Sequence, residues 1–196
     1  MKDFDTKWEK IYRNRRQLNK YPFTGVVSFF FKNFKNRKNL NILEVGCGTG
    51  NNLEFLAKLD HNIYGIDASS TAIKYAKKYF QNYKNNSDFK IGSFTNLPYK
   101  KNFFDLIINR AAITNVEFNK AILAFKQCKN VLKKNGMIYS TFYSNLCTFQ
   151  ATEIKEGYYH KFKKSFDAGS IQFYNYDKIF KLHRSSNLKM ISLKLN

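Results

Sequence analysis

Residues 43–52, with the sequence LEVGCGTGNN, constrain the possible folds of this chain more than any other stretch. Glycines 46, 48 and 50 alternate with small residues, directly after an apolar segment and directly before one with helical character. Glycine allows positive φ in a tight turn and removes the side chain that would hold a ligand away from the backbone. At a junction between a strand and a helix, it also exposes N–H groups to polar or anionic ligands. The stretch therefore predicts a binding loop at the carboxyl end of a buried strand.

Short β-rich segments alternate with helical patterns on both sides of this loop. Segments of this length separated by helices imply right-handed β-α-β crossovers and a parallel sheet. We therefore predict an α/β fold, in which ligands bind outside the carboxyl ends of the strands. Ser69 or Ser70 is expected to cap one helix, and Gly136 is expected to end another. The predicted strands are 41–47, 62–68, 89–94, 104–109 and 137–143, and the predicted helices are 52–59, 71–80 and 120–134.

Two further segments lie outside the alternation. Residues 5–34 predict two helices in front of the sheet, and residues 145–170 interrupt the pattern before a predicted helix at 174–184. Residues 188–195 alternate like a strand. We expect one domain over 1–196, made of a helical cap (1–39), a binding core (40–144) and a substrate-side insertion followed by a helix and a strand (145–196).

The formal net charge of +20 raises the hypothesis of a nucleic-acid partner. Only six of the 34 basic residues are Arg, whereas proteins that recognise phosphates and bases favour Arg for its bidentate geometry. Lys and Asn are abundant throughout, as the codon bias of an AT-rich genome would produce. The local exception is segment 13–38, which holds eight basic residues and no acid. The charge is therefore compatible with a nucleic-acid-binding surface but does not favour one.

Nothing in the sequence predicts export, a membrane span or a metal site. No apolar segment approaches the roughly 20 residues that cross a bilayer, and the first ten residues lack the apolar core of a signal peptide. Cys47, Cys128 and Cys147 are widely spaced, without the pairs of a zinc site or a disulfide framework. We therefore expect a cytoplasmic protein without a metal.

Asp67 gives the glycine loop a chemical context, since it ends the second predicted strand 17 residues after Gly50. A carboxylate there is placed to accept hydrogen bonds from both hydroxyls of a ribose. The glycine spacing differs from the G-x-G-x-x-G fingerprint of dinucleotide sites, because Asn51 stands where the third glycine would pack. The phosphate-binding GK[ST] motif is absent as well. The loop therefore favours an adenosine ligand that lacks a pyrophosphate.

Five stretches together, ILEVGCGTGNN, YGIDAS, IGSFTNLPY, FDLIINRAAI and VLKKNGMIYS, resemble in order and separation the motifs of class I S-adenosylmethionine-dependent methyltransferases. The resemblance covers about residues 40–144 and implies a Rossmann-like three-layer α-β-α sandwich, with S-adenosyl-L-methionine as cofactor and S-adenosyl-L-homocysteine as product. It implies that the loop wraps the methionine part of the cofactor, that Asp67 holds the ribose and that Ala68 lies beside the adenine. It also implies that Phe94 lies against the ring with Ser93 near its amino group, although Ser93 departs from the family's usual Asp. The implied cofactor-binding residues are Glu44, Gly46, Cys47, Gly48, Gly50, Asn51, Asp67, Ala68, Ser93, Phe94, Asn109 and Arg110.

Three of these residues also have a purely structural interpretation. Glu44 is also consistent with a charged strand end, Asp67 with a helix cap and Phe94 with a core residue. Cys47 fits the loop as a small residue, and no base lies near it in sequence to make it a nucleophile.

Methyl transfer from a sulfonium needs mainly alignment, plus a base when the acceptor is a hydroxyl. His160, in the aromatic-rich insertion, is the candidate base, and Arg110 is the second candidate on the acceptor side. His61 is expected at the surface, and His183 is expected near a helix C-terminus. The Asn/Asp-Pro-Pro motif of DNA adenine methyltransferases and the Pro-Cys nucleophile of cytosine-C5 enzymes are both absent. The remaining acceptors are a small molecule, a saccharide or its precursor, a protein side chain or RNA.

The segment Trp8–Tyr12 with residues 17–23 is similar to the N-terminal cap of bacterial members associated with surface glycans. That similarity makes four residues candidates for a lid over the cofactor: Trp8, Tyr12, Asn19 and Tyr21. Packing of Trp8 and Tyr12 on the sheet is the alternative. We expect O- or N-methylation of a small molecule or saccharide, with RNA methylation or a cofactor-binding protein that has lost catalysis as the alternatives. A monomer or a homodimer is expected.

The family's sheet usually has seven strands, the last antiparallel, whereas only one strand is predicted here after residue 143. We therefore predict that the seventh strand is missing and that strand 188–195 pairs with the fifth strand or leaves an open edge.

Overall fold

Five parallel strands form the centre of the molecule in the computed structural model, which describes residues 6–83, 86–146, 151–155, 158–162 and 169–194. They are β1 (Asn41–Val45), β2 (Asn62–Asp67), β3 (Ser87–Ile91), β4 (Phe104–Arg110) and β5 (Leu132–Thr141). Their order across the sheet is β3-β2-β1-β4-β5, so that the α/β prediction is confirmed.

Helices cover both faces of this sheet, and a 3-10 turn (Ile113–Asn115) follows β4. The helices are α1 (Lys7–Arg13), α2 (Thr24–Phe34), α3 (Glu54–Lys58), α4 (Ser70–Phe80), α5 (Phe118–Val131) and α6 (Tyr176–Ser185). Of the two predicted caps, Ser69 is the one that caps α4, because its hydroxyl accepts a hydrogen bond from the Ala72 N–H at 3.0 Å. The two helices predicted in front of the sheet are also present, as α1 and α2.

The strand order reverses between β1 and β4, since the chain first adds β2 and β3 on one side and later adds β4 and β5 on the other. The loops after β1 and β4 therefore diverge, and this leaves a crevice at the carboxyl ends of these strands. Open α/β sheets bind their ligands at this position. The glycine loop lies at this reversal point, because it follows β1 directly.

Two apolar cores hold the layers together. One core packs α5 and α6 on the sheet through residues such as Leu43, Ile107 and Phe125, and the other packs α2, α3 and α4 through residues such as Ile42 and Phe30. Six of the seven residues of β4 are buried, as expected for a central parallel strand covered on both faces. The burial of these strands fixes which side chains face each layer at the carboxyl ends.

Asp105 joins the amino ends of the strands, opposite the crevice. Its buried carboxylate accepts a hydrogen bond from the Asn41 N–H at 3.0 Å and pairs with Arg37 at 3.1 Å and Lys133 at 2.7 Å. This arrangement ties β1, β4, β5 and the segment that follows α2 together away from the site.

Several local predictions are wrong. Gly136 does not end α5: that helix stops at Val131, and Gly136 lies in β5, where the pairing with β4 is irregular between Phe104 and Leu106. Residues 188–194 are not a strand, because they follow α6 without regular structure. The predicted alternation there reflects apolar residues that pack singly, since Leu188 and Met190 contact the core while Ile191 is exposed.

A separate antiparallel sheet occupies much of the interrupting segment. It consists of β6 (Ala151–Lys155), β7 (Tyr158–Phe162) and β8 (Ile171–Gln172), in that order. Within the described residues, the large sheet has five strands, and no strand after β5 pairs with it. The described helices include none that is long and apolar enough to cross a membrane.

Candidate functional site

The glycine loop turns sharply away from β1, with positive φ at glycines 46, 48 and 50. At Gly48 φ is +54°, and an added Cβ would collide with the hydroxyl of Tyr12. At Gly46 an added Cβ would collide with the Cβ of Ala112, in the loop after β4. The glycines are therefore required both for the left-handed backbone and for close approach of neighbouring segments.

Asp67 lies at the carboxyl end of β2 and joins the glycine loop to the start of α4. One carboxylate oxygen accepts a hydrogen bond from the Gly48 N–H at 2.9 Å, and the other accepts one from the Ser69 N–H at 2.8 Å. Burial raises the pKa of Asp67, while these two hydrogen bonds act in the opposite direction. Each oxygen keeps a second lone pair that is able to accept a ligand hydroxyl.

Glu44 is buried at the end of β1, with 2% of its surface exposed. Its Oε1 accepts a hydrogen bond from Asn52 Nδ2 at 2.6 Å, whereas its Oε2 has no partner among the described residues. Burial raises the pKa of Glu44 to about 8, and the hydrogen bond from Asn52 and the charge of Arg110 act to lower it. A buried carboxylate oxygen without a partner is costly, so that the loop presents an acceptor for a cationic or hydrogen-bonding ligand.

Helix α1 is attached to the start of α4 through Glu9. The Glu9 carboxylate accepts hydrogen bonds from the hydroxyl of Ser69 at 2.6 Å, from the hydroxyl of Thr71 and from the Thr71 N–H at 3.3 Å. Burial acts to raise the pKa of Glu9, but the hydrogen bonds from Ser69 and Thr71 outweigh it and lower the pKa to about 2. Helix α1 is therefore fixed immediately beside Asp67.

Tyr12 covers the glycine loop from α1. Its side chain is buried, and its hydroxyl lies against Gly48. Trp8 is partly buried and packs on Tyr12, with ring centroids 6.0 Å apart. Of the four predicted lid residues, Tyr12 lies in the site, Trp8 supports it and Asn19 is exposed.

The loop between α1 and α2 is tied to the glycine loop by two asparagines. Asn51 Nδ2 donates to the main-chain carbonyl of Tyr21 at 2.8 Å, and Asn52 Oδ1 accepts from the Phe23 N–H at 2.9 Å. The side chain of Tyr21 is 75% exposed, so that its described contact with the loop is made by the main chain. Asn52 thus connects Glu44 to the start of α2.

Asn109 and Arg110 end β4 on opposite faces of the sheet. Asn109 is fully buried, its Oδ1 accepts from the Ile113 N–H at 3.0 Å, and its Nδ2 has no partner among the described residues. The guanidinium of Arg110 lies over the ring of Phe23, 4.0 Å from the centroid. Arg110 is half-buried, and its register partner on the neighbouring strand is Thr141, the last residue of β5.

The residues predicted at the adenine side follow β2 and β3. Ala68 is partly buried directly before the cap of α4. Ser93 Oγ lies 2.7 Å from Thr95 Oγ1 and accepts from the Thr95 N–H at 3.1 Å, so that it caps its own turn. Phe94 is partly buried and packs against the core.

Cys47 does not face the crevice, since it is buried beneath the loop and would touch a Cβ added at Gly65. Burial raises the pKa of its thiol, as expected for a packing residue.

The three histidines occupy different parts of the chain. The prediction that His61 is a surface residue is wrong: it is 2% exposed at the amino end of β2, and its Nδ1 accepts from the Leu40 N–H at 3.4 Å. It packs against Phe30, and such a contact between distant segments has no local sequence signal. His183 lies near the end of α6, where its Nδ1 is 2.8 Å from the Ile179 carbonyl. The backbone of His160 lies in β7, and its side chain is outside what the structure describes.

Sequence reasoning did not identify Glu9, Phe23 or Asn52 as site residues. Asn52 carried a weak signal, because it directly follows the glycine loop. The other two reach the site through folding of the cap, which no local pattern shows. Among the residues that the structure describes, no group of His, Cys, Asp or Glu side chains is arranged to hold a metal ion.

Comparisons with known proteins agree with this geometry. The family described as methyltransferase domain matches residues 43–140, which is half of the chain. A ubiquinone biosynthesis O-methyltransferase from Pelagibacter ubique is 35% identical over 102 residues, which are 52% of this chain and 41% of that protein. A ubiquinone/menaquinone biosynthesis C-methyltransferase from Campylobacter jejuni is 33% identical over 121 residues, 58% of this chain and 46% of that protein.

The fold itself has many solved counterparts. A Burkholderia thailandensis 1,6-didemethyltoxoflavin-N1-methyltransferase, crystallised with its substrate and S-adenosylhomocysteine, superposes with a TM-score of 0.72 at 10% identity, over 92% of this chain and 74% of that one. At this identity the superposition shows a shared fold only. The match spans less than half the length of each of the two curated relatives described above.

Proposed function

The chain belongs to the family of class I S-adenosylmethionine-dependent methyltransferases, and we propose that it transfers a methyl group from S-adenosylmethionine to an oxygen or nitrogen of a small molecule or saccharide. One observation carries the cofactor part of this proposal. Asp67 and the glycine loop meet through the hydrogen bond from Gly48, at the point where the strand order reverses. This junction offers carboxylate oxygens for ribose hydroxyls beside a bare main chain for the methionine part.

The residues present fit the cofactor in charge as well as in shape. The unpartnered Oε2 of Glu44 provides an acceptor for the ammonium group of the methionine part. Asp67 would hold the ribose, and Ala68 and Phe94 would lie along the adenine. Tyr12, held by the attachment of α1 through Glu9, would cover the ligand at Gly48 and limit access of water.

When bound, S-adenosylmethionine supplies a methyl group already activated on a sulfonium. The chain then contributes alignment, because an in-line displacement at carbon depends on the position and angle of the acceptor atom. Asn109 and Arg110 lie at the end of β4, where the acceptor would approach. His160 stays the proposed base for a hydroxyl acceptor, while His61 is excluded by its position at the opposite end of the sheet.

Titration calorimetry with S-adenosylhomocysteine tests the cofactor site. Replacement Asp67→Asn removes charge-assisted hydrogen bonds worth about 1.5–3 kcal/mol, so we expect affinity to fall roughly 10- to 150-fold. Asp177→Asn is the matched control, because Asp177 is exposed in the first turn of α6. No binding to the parent chain, or equal affinity in the Asp67 variant, would contradict the proposal.

RNA methylation is a second proposal, favoured by the exposed basic residues of the cap. Arg37 does not belong to this surface, since it pairs with Asp105. The other exposed basic residues are Arg15, Arg16, Lys20, Lys32, Lys35 and Lys38, and Arg13 is exposed as well but pairs with Glu9 at 3.5 Å. A surface of this kind predicts RNA binding that weakens steeply with salt. Absence of RNA binding at low salt would exclude it.

A further inference from the structure

Arg110 is placed where a positive charge needs a negative partner. Its guanidinium stacks on Phe23, which is the residue at the N-cap of α2. The N-terminus of a helix carries a partial positive charge, so that this location is electrostatically unfavourable for a second cation. Stacking on an aromatic ring holds the guanidinium plane and leaves its N–H donors at the edge available to a ligand.

Within the part of the chain that the structure describes, no acidic side chain forms an ion pair with Arg110. The carboxylates of the crevice are engaged elsewhere, since Asp67 bonds to Gly48 and Ser69, and Glu44 bonds to Asn52. Glu44 is near enough to feel the charge of Arg110, but burial raises the pKa of Glu44 to about 8. It is therefore largely neutral near pH 7 and does not balance the guanidinium.

The neighbours of Arg110 on β5 are of mixed character. Arg110 is paired with Thr141 and Ile108 with Tyr139, so that these side chains share one face of the sheet. Thr141 Oγ1 is buried and has no partner among the described residues. Tyr139 packs on Phe29, with ring centroids 5.1 Å apart, and its hydroxyl lies against Gly25. A guanidinium stacked on an aromatic ring, an unpartnered hydroxyl and a tyrosine ring thus lie on the same face at the ends of β4 and β5.

We propose that Arg110 binds a carboxylate of the methyl acceptor, which makes the acceptor a small organic acid. This inference rests on the proposed function, and it narrows the class of methyl acceptor from small molecules and saccharides to small organic acids. The acceptor's carboxylate bonds to the guanidinium, its body lies along Phe23 and Tyr139, and the Thr141 hydroxyl contributes a further hydrogen bond. Charge-assisted bonds to a guanidinium are directional, so that one such contact also orients the atom that receives the methyl group.

The sheet register separates this position from the methionine part of the cofactor. Glu44 is paired with Ile108, and Arg110 lies two residues further along β4, at the last pair with β5. The glycine loop instead leaves β1 toward β2, because the Gly46 and Cys47 N–H groups both donate to the Ile66 carbonyl. The proposal therefore assigns the carboxylate of the cofactor to the glycine loop and that of the acceptor to Arg110, and the calorimetry described below distinguishes the two.

Acid and amide probe pairs test the proposal on the full chain saturated with S-adenosylhomocysteine. Benzoate and benzamide, and acetate and acetamide, differ in charge but little in shape, and their binding is measured by ligand-detected NMR. We expect the parent chain to bind each acid about tenfold more tightly than its amide, the ratio given by about 1.4 kcal/mol. Arg110→Gln should remove this preference, and Arg110→Lys should keep part of it.

Arg184→Gln is the matched control, since Arg184 is exposed in the last turn of α6. It should bind the probes like the parent. A parent chain without preference for the acids, or an Arg110→Gln variant that keeps the preference, would overturn the inference.

Calorimetry with S-adenosylhomocysteine and 5′-methylthioadenosine separates the two possible sources of the carboxylate. If Arg110→Gln weakens binding of S-adenosylhomocysteine but not of 5′-methylthioadenosine, Arg110 binds the cofactor and the inference is wrong. Equal affinity of parent and variant for S-adenosylhomocysteine supports it. Failure of the parent to bind S-adenosylhomocysteine would instead contradict the proposed function itself.

Discussion

The two sides of the crevice differ in how far their polar groups are satisfied. On the ribose side, around Asp67, both carboxylate oxygens accept main-chain hydrogen bonds, and the Ser69 hydroxyl bonds to both Glu9 and the Ala72 N–H. On the acceptor side, at the ends of β4 and β5, buried polar atoms lack partners among the described residues. They are Asn109 Nδ2, Ser140 Oγ and Thr141 Oγ1.

The proposed function accounts for this difference. A cofactor that is the same in every cycle is bound best by a site whose donors and acceptors are already oriented, because little ordering remains to be done on binding. A buried polar atom without a partner costs about 1–3 kcal/mol, and a ligand that supplies the missing hydrogen bond removes that cost. Among the described residues, one buried atom on the cofactor side, Glu44 Oε2, also lacks a partner, against three at the ends of β4 and β5. The acceptor side therefore has the larger unused capacity to select its ligand.

Gly48→Ala is expected to have the largest effect on the ribose side. The added methyl group would collide with the Tyr12 hydroxyl, and the left-handed backbone would be strained by about 1–2 kcal/mol. We expect binding of S-adenosylhomocysteine to fall below detection by calorimetry, together with a lower melting temperature. Adding Tyr12→Phe removes the colliding oxygen and should restore part of the affinity.

Gly92→Ala serves as the control, since an added Cβ there meets only the Ile66 side chain at 3.0 Å and no positive φ is needed. Unchanged affinity in Gly48→Ala would show that the ribose side is not preorganised. The two sides of the crevice would then no longer differ in how far their polar groups are oriented before the ligand binds.

The second test is the pH dependence of stability and of cofactor affinity that Glu44 is expected to cause. Its pKa is raised by burial to about 8, above the ordinary value for Glu, so the folded chain binds a proton that the unfolded chain has already lost. The stability that this proton contributes is complete below the ordinary pKa, near 4.5, and is lost as pH rises through about 8. The free chain should therefore become less stable across this window.

Cofactor binding should show the opposite trend, because the ammonium group favours ionised Glu44. With a pKa near 8, about one tenth of Glu44 is ionised at pH 7, so affinity for S-adenosylhomocysteine should rise up to about tenfold as ionisation is completed. Calorimetry at several pH values measures this rise. Glu44→Gln should abolish it, and a pH dependence that persists in this variant would assign it to another group.

The sequence predicted the sheet well because its signals are local. The apolar segments and their spacing predicted all five strands, and the adjacent hydroxyls of Ser69 and Ser70 predicted the start of α4. The prediction that Gly136 ends a helix was wrong because glycine is common both at helix ends and at strand irregularities. Residue 136 lies at an irregular pairing in β5. The helix pattern alone does not distinguish these two uses.

The predicted site residues fall into two groups for the same reason. The glycine loop and Asp67 follow strands in a fixed topology, so that their meeting could be predicted from the order of elements. Glu9 and Phe23 reach the site across 60 and 29 residues, respectively, through hydrogen bonds to Ser69 and Asn52. Contacts at such separation depend on how the cap packs on the core, and no pattern in the sequence encodes that.

Glu9→Gln is expected to have the smallest effect, because it weakens the hydrogen bonds of the cap without removing them, and it tests whether the cap controls the ribose side. The variant keeps the shape but weakens charge-assisted hydrogen bonds to Ser69 and Thr71, so α1 should open more often. Replacing a charge-assisted bond by a neutral one at a partly exposed position costs about 0.5–1 kcal/mol, which corresponds to roughly 2- to 5-fold faster release of S-adenosylhomocysteine. Stopped-flow fluorescence measures this rate, since Trp8 is the single tryptophan and lies on α1.

Acid pH should reproduce the effect in the parent chain. The hydrogen bonds lower the pKa of Glu9 to about 2, against the opposing effect of burial, so attachment of α1 is complete above the ordinary pKa near 4.5 and is lost as pH falls toward 2. The Trp8 fluorescence of the parent should change across this pH range, whereas the fluorescence of the Glu9→Gln variant should not show the change that comes from titration of Glu9.

Glu54→Gln is the control, since Glu54 pairs with Lys58 within α3. If release rates in Glu9→Gln equal those of the parent, α1 does not retain the ligand, and the order on the ribose side comes from Asp67 and the glycine loop alone.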